Sequence, residues 1–138
     1  MLLASYFLNI QSINHFCLIS SPTQTTVIDS LYPILKFDTT ALNCDTIEEG
    51  VQYKFIYHFT NIGTAPLILA NVKSSCGCYV PQWTKEPVEP GKKGTIIGTY
   101  NSKGRPGNFT KTITVNSNDP INPTQILRCR GYTKKRQE

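Results

Sequence analysis

Histidine is scarce in this chain: its 138 residues include only His15 and His58. Acidic residues are also few, and apart from the turn pair Glu48-Glu49 they are separated along the sequence. A catalytic nucleophile needs a base within reach and a third group that orients the base. No such combination is visible, so we predict a non-enzymatic protein without catalytic residues.

Other functional signatures are missing as well. The sequence has no glycine-rich phosphate loop, no aromatic RNA-binding signature and no recognition-helix pattern. The net charge of +5 is modest, and the basic residues are dispersed except for Lys134-Lys135-Arg136. A structural zinc site needs four Cys or His ligands, whereas one Cys-x-Cys pair stands alone here. We therefore predict no nucleic-acid partner, no metal site and no cofactor.

Charged side chains are absent from residues 1–28. The apolar run Met1–Ile10 is too short to span a bilayer, and it lacks the basic start of a signal peptide. Cys17 follows the bulky Phe16, which does not fit a lipoprotein signal. We expect residues 1–31 to be an atypical leader or a disordered tail. We predict no transmembrane span and an extracytoplasmic location, in the periplasm or at the cell surface, with membrane proximity if the chain is lipid-anchored.

From Tyr32 onward, short β-type runs alternate with turn residues. The clearest run is 51–60, in which four aromatic residues at alternate positions share one face. Such alternation is typical of a sheet with one buried face. We predict one all-β domain over residues 32–133, an immunoglobulin-like antiparallel β-sandwich of about seven strands. A basic tail, residues 134–138, follows it. The residues predicted to be buried between the sheets are Phe55, Tyr57, Phe59, Leu67, Ile96, Ile113 and Leu127.

The segment Ser74–Tyr79 contains Cys76 and Cys78, separated by one glycine. In a regular strand their Cα atoms would lie about 6.6 Å apart, near the upper limit for a disulfide. A bend at Gly77 would shorten that distance. Three interpretations stay open: a structural disulfide or tight bend, thiol exchange, and Cu(I) binding by two thiolates. A bridge in so small a ring would be strained and easily reduced.

Two further cysteines, Cys44 and Cys129, occupy alternate positions of their segments whose side chains we expect to point into the core. In an immunoglobulin-like strand order these segments run side by side. Two interpretations stay open here: a disulfide, if the Cα atoms lie within about 7 Å, and separate buried thiols.

Three triplets begin with aspartate: Asp29-Ser30-Leu31, Asp38-Thr39-Thr40 and Asp45-Thr46-Ile47. They resemble the acceptor triplet for protein O-glycosylation in Bacteroidetes. Ser30, Thr39 and Thr46 are therefore candidate modification sites if the chain is exported. Ordinary turn chemistry is the alternative explanation, because Asp and Thr are common in turns.

Several separated motifs carry a family resemblance. They are Asn61-Ile62-Gly63-Thr64-Ala65-Pro66-Leu67, Val72-Lys73-Ser74-Ser75-Cys76-Gly77-Cys78, Pro90-Gly91, Gly107-Asn108-Phe109 and Val115-Asn116-Ser117-Asn118-Asp119-Pro120. Together, over residues 35–133, they resemble the bacterial domain-of-unknown-function family 1573, frequent in Bacteroidetes. The chain departs from that family at its leader and at Cys44, where members often carry an aromatic residue.

The resemblance implies an immunoglobulin-like fold, akin to the domains of major sperm protein and of cilium- and centrosome-associated proteins. It also implies export or lipid anchoring, and it brings no established activity. Sandwiches of this type bind partners through strand edges and end loops, here including the basic loop 103–105. We therefore predict an interaction or structural module with an unknown protein partner. The alternative is a periplasmic thiol-redox or copper-handling protein that uses Cys76 and Cys78.

Overall fold

The computed structural model describes residues 31–137, which form eight β-strands in two four-stranded sheets. The all-β sandwich fold predicted from the sequence is confirmed, with one strand more than expected. The unforeseen strand is β5, which contains Pro81 and lies in a stretch that proline repeatedly interrupts. The strands are β1 (Leu35–Phe37), β2 (Ala41–Glu48), β3 (Gln52–Asn61), β4 (Leu69–Ser74), β5 (Tyr79–Trp83), β6 (Lys93–Asn101), β7 (Gly107–Ser117) and β8 (Thr124–Lys134).

The two sheets have the strand orders β1-β3-β6-β5, here called the first sheet, and β2-β8-β7-β4, the second sheet. Four strands, β1, β5, β2 and β4, are therefore edge strands. The chain crosses between the two sheets at their edges in two places. The connection from β1 to β2 joins the edges on one side of the sandwich, and the connection from β4 to β5 joins the edges on the other side. All strand pairs are antiparallel except β2 and β8, which run parallel. The sequence pattern did not indicate that exception, because alternation of side chains carries no information on strand direction.

The seven residues predicted to form the core are all buried, with 3% exposure or less. Tyr53 is a correction: it shares the parity of the buried aromatic residues of β3, yet 38% of it is exposed. β1 pairs only with residues 59–61 of β3, so Tyr53 has no neighbouring strand on that side, although its partner Tyr100 on β6 is buried. Its ring packs on Phe55 instead (centroids 4.9 Å apart). Alternation identifies a face of the sheet but not how far the neighbouring strands extend.

Two glycines of β6 make room for aromatic rings in the core. Gly98 faces the ring of Tyr79, and Gly94 faces the ring of Phe59; a Cβ atom at either position would overlap that ring. Both aromatic side chains are completely buried. Glycine in a strand often marks such a close approach, and here it allows large rings to fill the space between the sheets.

The predicted leader falls almost entirely outside the described residues. Within residues 31–137, no helix has the length and apolar character needed to cross a bilayer.

Truncating Phe59 to Ala removes a fully buried ring, and we expect a loss of about 3–5 kcal/mol in the free energy of unfolding. Chemical denaturation followed by fluorescence measures the loss. The matched control is Ile56→Ala, because Ile56 belongs to the same strand but is 45% exposed; its loss should stay below about 1 kcal/mol. Equal losses for the two variants would contradict the assignment of the inner face.

Candidate functional site

Cys76 and Cys78 lie in the connection between β4 and β5, where the chain leaves the edge of the second sheet and enters the edge of the first. They are joined by a disulfide with a Cα–Cα distance of 5.3 Å. Both cysteines are half-buried and pack against the core, while Gly77 between them is exposed. Residues 75–78 are called the disulfide crossing below.

Hydrogen bonds fix the disulfide crossing to both sheets. The N–H of Ser75 donates to the carbonyl of Thr112 on β7 (2.9 Å), and the hydroxyl of Ser75 accepts from the N–H of Thr112 (3.2 Å). On the other side, the N–H of Asn101 donates to the carbonyl of Cys78 (2.9 Å). The hydroxyl of Ser74 also donates to the carbonyl of Cys76 (2.7 Å). The disulfide crossing is therefore a built connection and not a loose loop.

One lysine of β7 is the sequence neighbour of the residue that pairs with the disulfide crossing. Lys111 precedes Thr112, the partner of Ser75, and has the same inward parity as the buried Phe109 and Ile113. Its ammonium group lies 6.0 Å from the ring centroid of Tyr100, a residue of the opposite sheet. A cation near cysteine favours the thiolate once a disulfide is reduced.

Cys44 and Cys129 are free thiols, so the bridge considered between them is not formed. Their strands, β2 and β8, are neighbours as expected. However, Leu42, and not Cys44, is the register partner of Cys129. A bulge after Asn43 then turns the chain, with Asp45 at a positive φ of 53°. Burial raises the pKa of both thiols, which keeps them protonated and unreactive at neutral pH.

Asn61, at the start of one family motif, is completely buried, and its side chain makes four hydrogen bonds. Its side-chain NH₂ donates to the carbonyls of Ala65 (2.7 Å) and Val88 (2.8 Å). Its side-chain oxygen accepts from the N–H groups of Ile34 (3.3 Å) and Gly63 (3.0 Å). The sequence indicated only a turn here, whereas the structure shows a side chain that joins three segments.

Asp119, in the last family motif, is the second buried connector. Its carboxylate accepts hydrogen bonds from the N–H groups of Leu35 (2.9 Å), Ile121 (2.8 Å) and Asn122 (3.1 Å). Burial alone would raise the pKa of Asp119, but the three backbone donors outweigh that effect, so its pKa lies below the ordinary value. Asn61 and Asp119 therefore serve the fold, whereas the disulfide crossing is the family motif that contains reactive sulfur atoms.

The edge strands of the first sheet are both protected. On β1, the outward-facing N–H of Leu35 donates to Asp119, and its carbonyl accepts from the side chain of Gln125 (2.9 Å). On β5, Cys78 and Thr84 pair with β6, so the alternating pattern directs the backbone of Pro81 to the free edge. Proline has no N–H, and its presence on an edge strand is a common defence against strand addition.

The edge strands of the second sheet differ from one another. The bulge at Asp45 interrupts the row of outward groups on β2. The pairing of β4 is also irregular, between Leu69 and Asn71. Beyond that point Ser75 pairs with Thr112 through a backbone hydrogen bond, so Val72 and Ser74 direct their N–H and carbonyl groups outward. Among the described residues, no hydrogen bond occupies these outward backbone groups. This row is called the β4 edge below.

The remaining candidates are spread over the surface. Thr39 and Thr46 are exposed, and the hydroxyl of Thr39 donates to the carbonyl of Ala41 (3.0 Å); Ser30 lies outside the described residues. O-glycosylation stays a prediction. His58 is exposed on β3. Within residues 31–137, no group of three His, Cys, Asp or Glu side chains is arranged to hold a metal ion.

We expect the low pKa of Asp119 to make the protein sensitive to acid. Because its pKa in the folded state lies below the ordinary 3.8, its contribution to stability is complete above that value. The contribution is lost as the pH falls from about 4 through the folded-state pKa. Asp119→Asn should remove this loss, and at neutral pH it should cost about 1–3 kcal/mol, since one backbone donor loses its acceptor.

Urea denaturation at a series of pH values measures the effect. Asp38→Asn is the control, because Asp38 is exposed. Parallel stability curves for the wild type and Asp119→Asn would contradict the prediction.

The fold is similar to several solved structures. A protein of unknown function from Porphyromonas gingivalis W83 superposes with a TM-score of 0.65 at 16% identity, covering 74% of this chain and 47% of that protein. The chain thus spans about half the length of that relative. The PapD-like domain 7 of human CEP192 superposes with a TM-score of 0.60 at 13% identity, covering 77% of this chain and 89% of that one. The periplasmic chaperone SfaE superposes with a TM-score of 0.51 at 11% identity, covering 75% of this chain and 58% of the chaperone. Identities this low show the fold alone.

No curated protein matches the chain. The profile of the family described as "Protein of unknown function (DUF1573)" matches residues 35–132, from the first residue of β1 almost to the end of β8. That range includes Asn61, the disulfide crossing and Asp119. The resemblance seen in the sequence is therefore confirmed, and the chain belongs to the DUF1573 family.

Proposed function

We propose that this protein is a non-enzymatic interaction module that acts outside the cytoplasm and binds an extended segment of a partner protein at the β4 edge. The observation that carries the proposal is the difference among the four edges. The other three are capped by side chains, interrupted by proline or bent by a bulge. Within residues 31–137, the outward backbone groups of Val72 and Ser74 have no hydrogen-bond partner, and neither a capping side chain, a proline nor a bulge interrupts them.

Strand addition uses such a row of backbone groups for affinity, and alternate side chains of the added strand provide specificity. The disulfide crossing supports this use, because it holds the end of β4 to β7 through Ser75 and Thr112. A preordered edge loses less conformational entropy on binding than a mobile one. The exposed Lys73, between the two outward-facing residues, favours a partner segment with an acidic side chain beside it.

The location outside the cytoplasm is supported by the disulfide itself. Disulfides persist in oxidising compartments and are rare in the cytosol. The likeness of the fold to a periplasmic chaperone agrees with this location.

The test is a matched pair of substitutions at Ser74. Ser74→Pro removes the outward N–H and the hydroxyl bond to Cys76, whereas Ser74→Ala removes only the hydroxyl bond. Proline is tolerated on an edge strand when its missing N–H faces outward. Extended peptides selected from a displayed library on the oxidised protein should bind Ser74→Ala and lose at least about tenfold in affinity for Ser74→Pro.

Amide chemical shifts locate the bound peptides. The expected result is that the amides of Val72 and Ser74 shift and become protected from exchange. Selected peptides that bind both variants equally, or that shift only residues of β1, β2 or β5, would overturn the proposal.

A second candidate function, thiol exchange or Cu(I) handling, is favoured by the half-buried bridge beside Lys111. In exchange, an attacking thiolate would form a mixed disulfide with one sulfur, and the other sulfur would leave as a thiolate. Lys111 would stabilise that leaving thiolate. After reduction, the two thiolates would form a soft pair of ligands for Cu(I).

Alkylation followed by intact mass tests this second candidate on protein taken from its native compartment. Thiol exchange predicts labelling of Cys76 and Cys78 only after mild reductant, at a rate that falls in Lys111→Gln but not in the exposed control Lys73→Gln. Copper handling predicts that both thiols label before reduction and that Cu(I) protects them. A bridge that resists mild reductant would contradict both forms of this candidate.

A further inference from the structure

Two basic segments of the chain meet at one end of the sandwich. The loop 103–105 connects β6 to β7, and the segment 134–136 follows the end of β8. With the turn between β2 and β3 they enclose a cavity of about 760 Å³. It is lined by Glu49, Gly50, Lys103, Lys135, Arg136 and Gln137. This cavity is called the basic cleft below.

Glu49 holds the two basic segments together. One oxygen of its carboxylate accepts from the N–H of Gly104 (3.1 Å), and the other accepts from the N–H of Arg136 (3.3 Å). Its own N–H donates to the carbonyl of Lys134 (2.9 Å). The single acidic side chain in the basic cleft therefore has both oxygens engaged by the backbone, and it positions the cations around it.

Other contacts fix the loop beside the basic cleft. Ser102 is completely buried, and its hydroxyl lies within 3.0 Å of the carbonyls of Glu48 and Val51. The side chain of Arg105 donates to the carbonyl of Lys103 (3.0 Å), which holds the tip of the loop. The arrangement of Lys103, Lys135 and Arg136 is thus set by the fold and not only by their flexible side chains.

We propose that the basic cleft is a binding site for a phosphate group of an anionic ligand. Three cationic side chains and one engaged carboxylate line it, whereas the net charge of the whole chain is only +5. Arginine and lysine are the side chains that suit phosphate oxygens. The cavity volume accommodates a phosphate with an attached organic group. The phosphate can come from a free small molecule or from a phospholipid headgroup. This site is separate from the β4 edge and does not depend on the function proposed for that edge.

The experiment uses the full chain with two probes. Inorganic phosphate is titrated while amide shifts are recorded, and vesicles of phosphatidylcholine with and without phosphatidylglycerol are tested by co-sedimentation. We expect amide shifts at Gly50, Gly104 and Lys135 with phosphate, co-sedimentation with the vesicles that contain phosphatidylglycerol, or both. Shifts with phosphate assign a small-molecule source, and binding that requires phosphatidylglycerol assigns a lipid headgroup.

The triple variant Lys103→Gln, Lys135→Gln, Arg136→Gln tests the three cations. Each basic residue near an anionic surface strengthens the binding affinity about fivefold. The triple variant should therefore bind about 100-fold more weakly. The control is the double variant Lys92→Gln, Lys93→Gln. These two lysines form an exposed basic pair at the opposite end of the sandwich. Because only long-range electrostatic effects reach the basic cleft from there, each lost charge should change the binding affinity less than about twofold. Binding of neither probe, or equal losses in both variants, would overturn the proposal.

Glu49→Ala separates an organised site from a mere excess of positive charge. If Glu49 positions the loop and the tail, its removal should weaken binding although a negative charge is lost. Stronger binding by Glu49→Ala would overturn the claim that the fold builds this site. Unfolding curves of the variant show whether the sandwich itself is retained.

Discussion

The buried carboxylate of Asp119 is the interaction on which the arrangement of the two sheets most depends. It accepts the outward N–H of Leu35 on the first sheet and two N–H groups of the turn between β7 and β8 on the second. A buried charge is costly unless it is fully hydrogen-bonded, and here three backbone donors satisfy it. The same contact occupies the free edge of β1, so a single side chain joins the sheets and protects an edge.

Three of the four edges are protected, each by a different physical device. Side chains cap β1, the missing N–H of Pro81 blunts β5, and a bulge with a left-handed residue bends β2. β4 is irregular only at its start, between Leu69 and Asn71; its second half keeps outward groups at Val72 and Ser74, and its end is held by the disulfide crossing. An unprotected edge is a liability in a soluble protein, so its retention in an otherwise protected sandwich favours a use in binding.

The contacts show that some of the family motifs stabilise the fold, whereas another is available for function. Asn61 and Asp119 act through buried hydrogen bonds to the backbone, which explains Asn and Asp in those motifs without any ligand. The motif around Cys76 and Cys78 has a half-buried disulfide at the junction of two edges. Both proposed functions involve this motif. It holds the end of the β4 edge, and its two sulfur atoms would take part in thiol exchange or Cu(I) binding.

The sequence by itself determined the sandwich class and its inner face, because alternation along β3 and β6 is a local property of the chain. It also made Cys76 and Cys78 a candidate bridge, one of three interpretations left open, since the two cysteines are separated by a single glycine. Only the tertiary structure decided that β2 runs parallel to β8, that Leu42 and not Cys44 faces Cys129, and that Glu49 joins loop 103–105 to the tail. These features depend on strand register and on contacts between residues up to 87 positions apart, which no local pattern encodes.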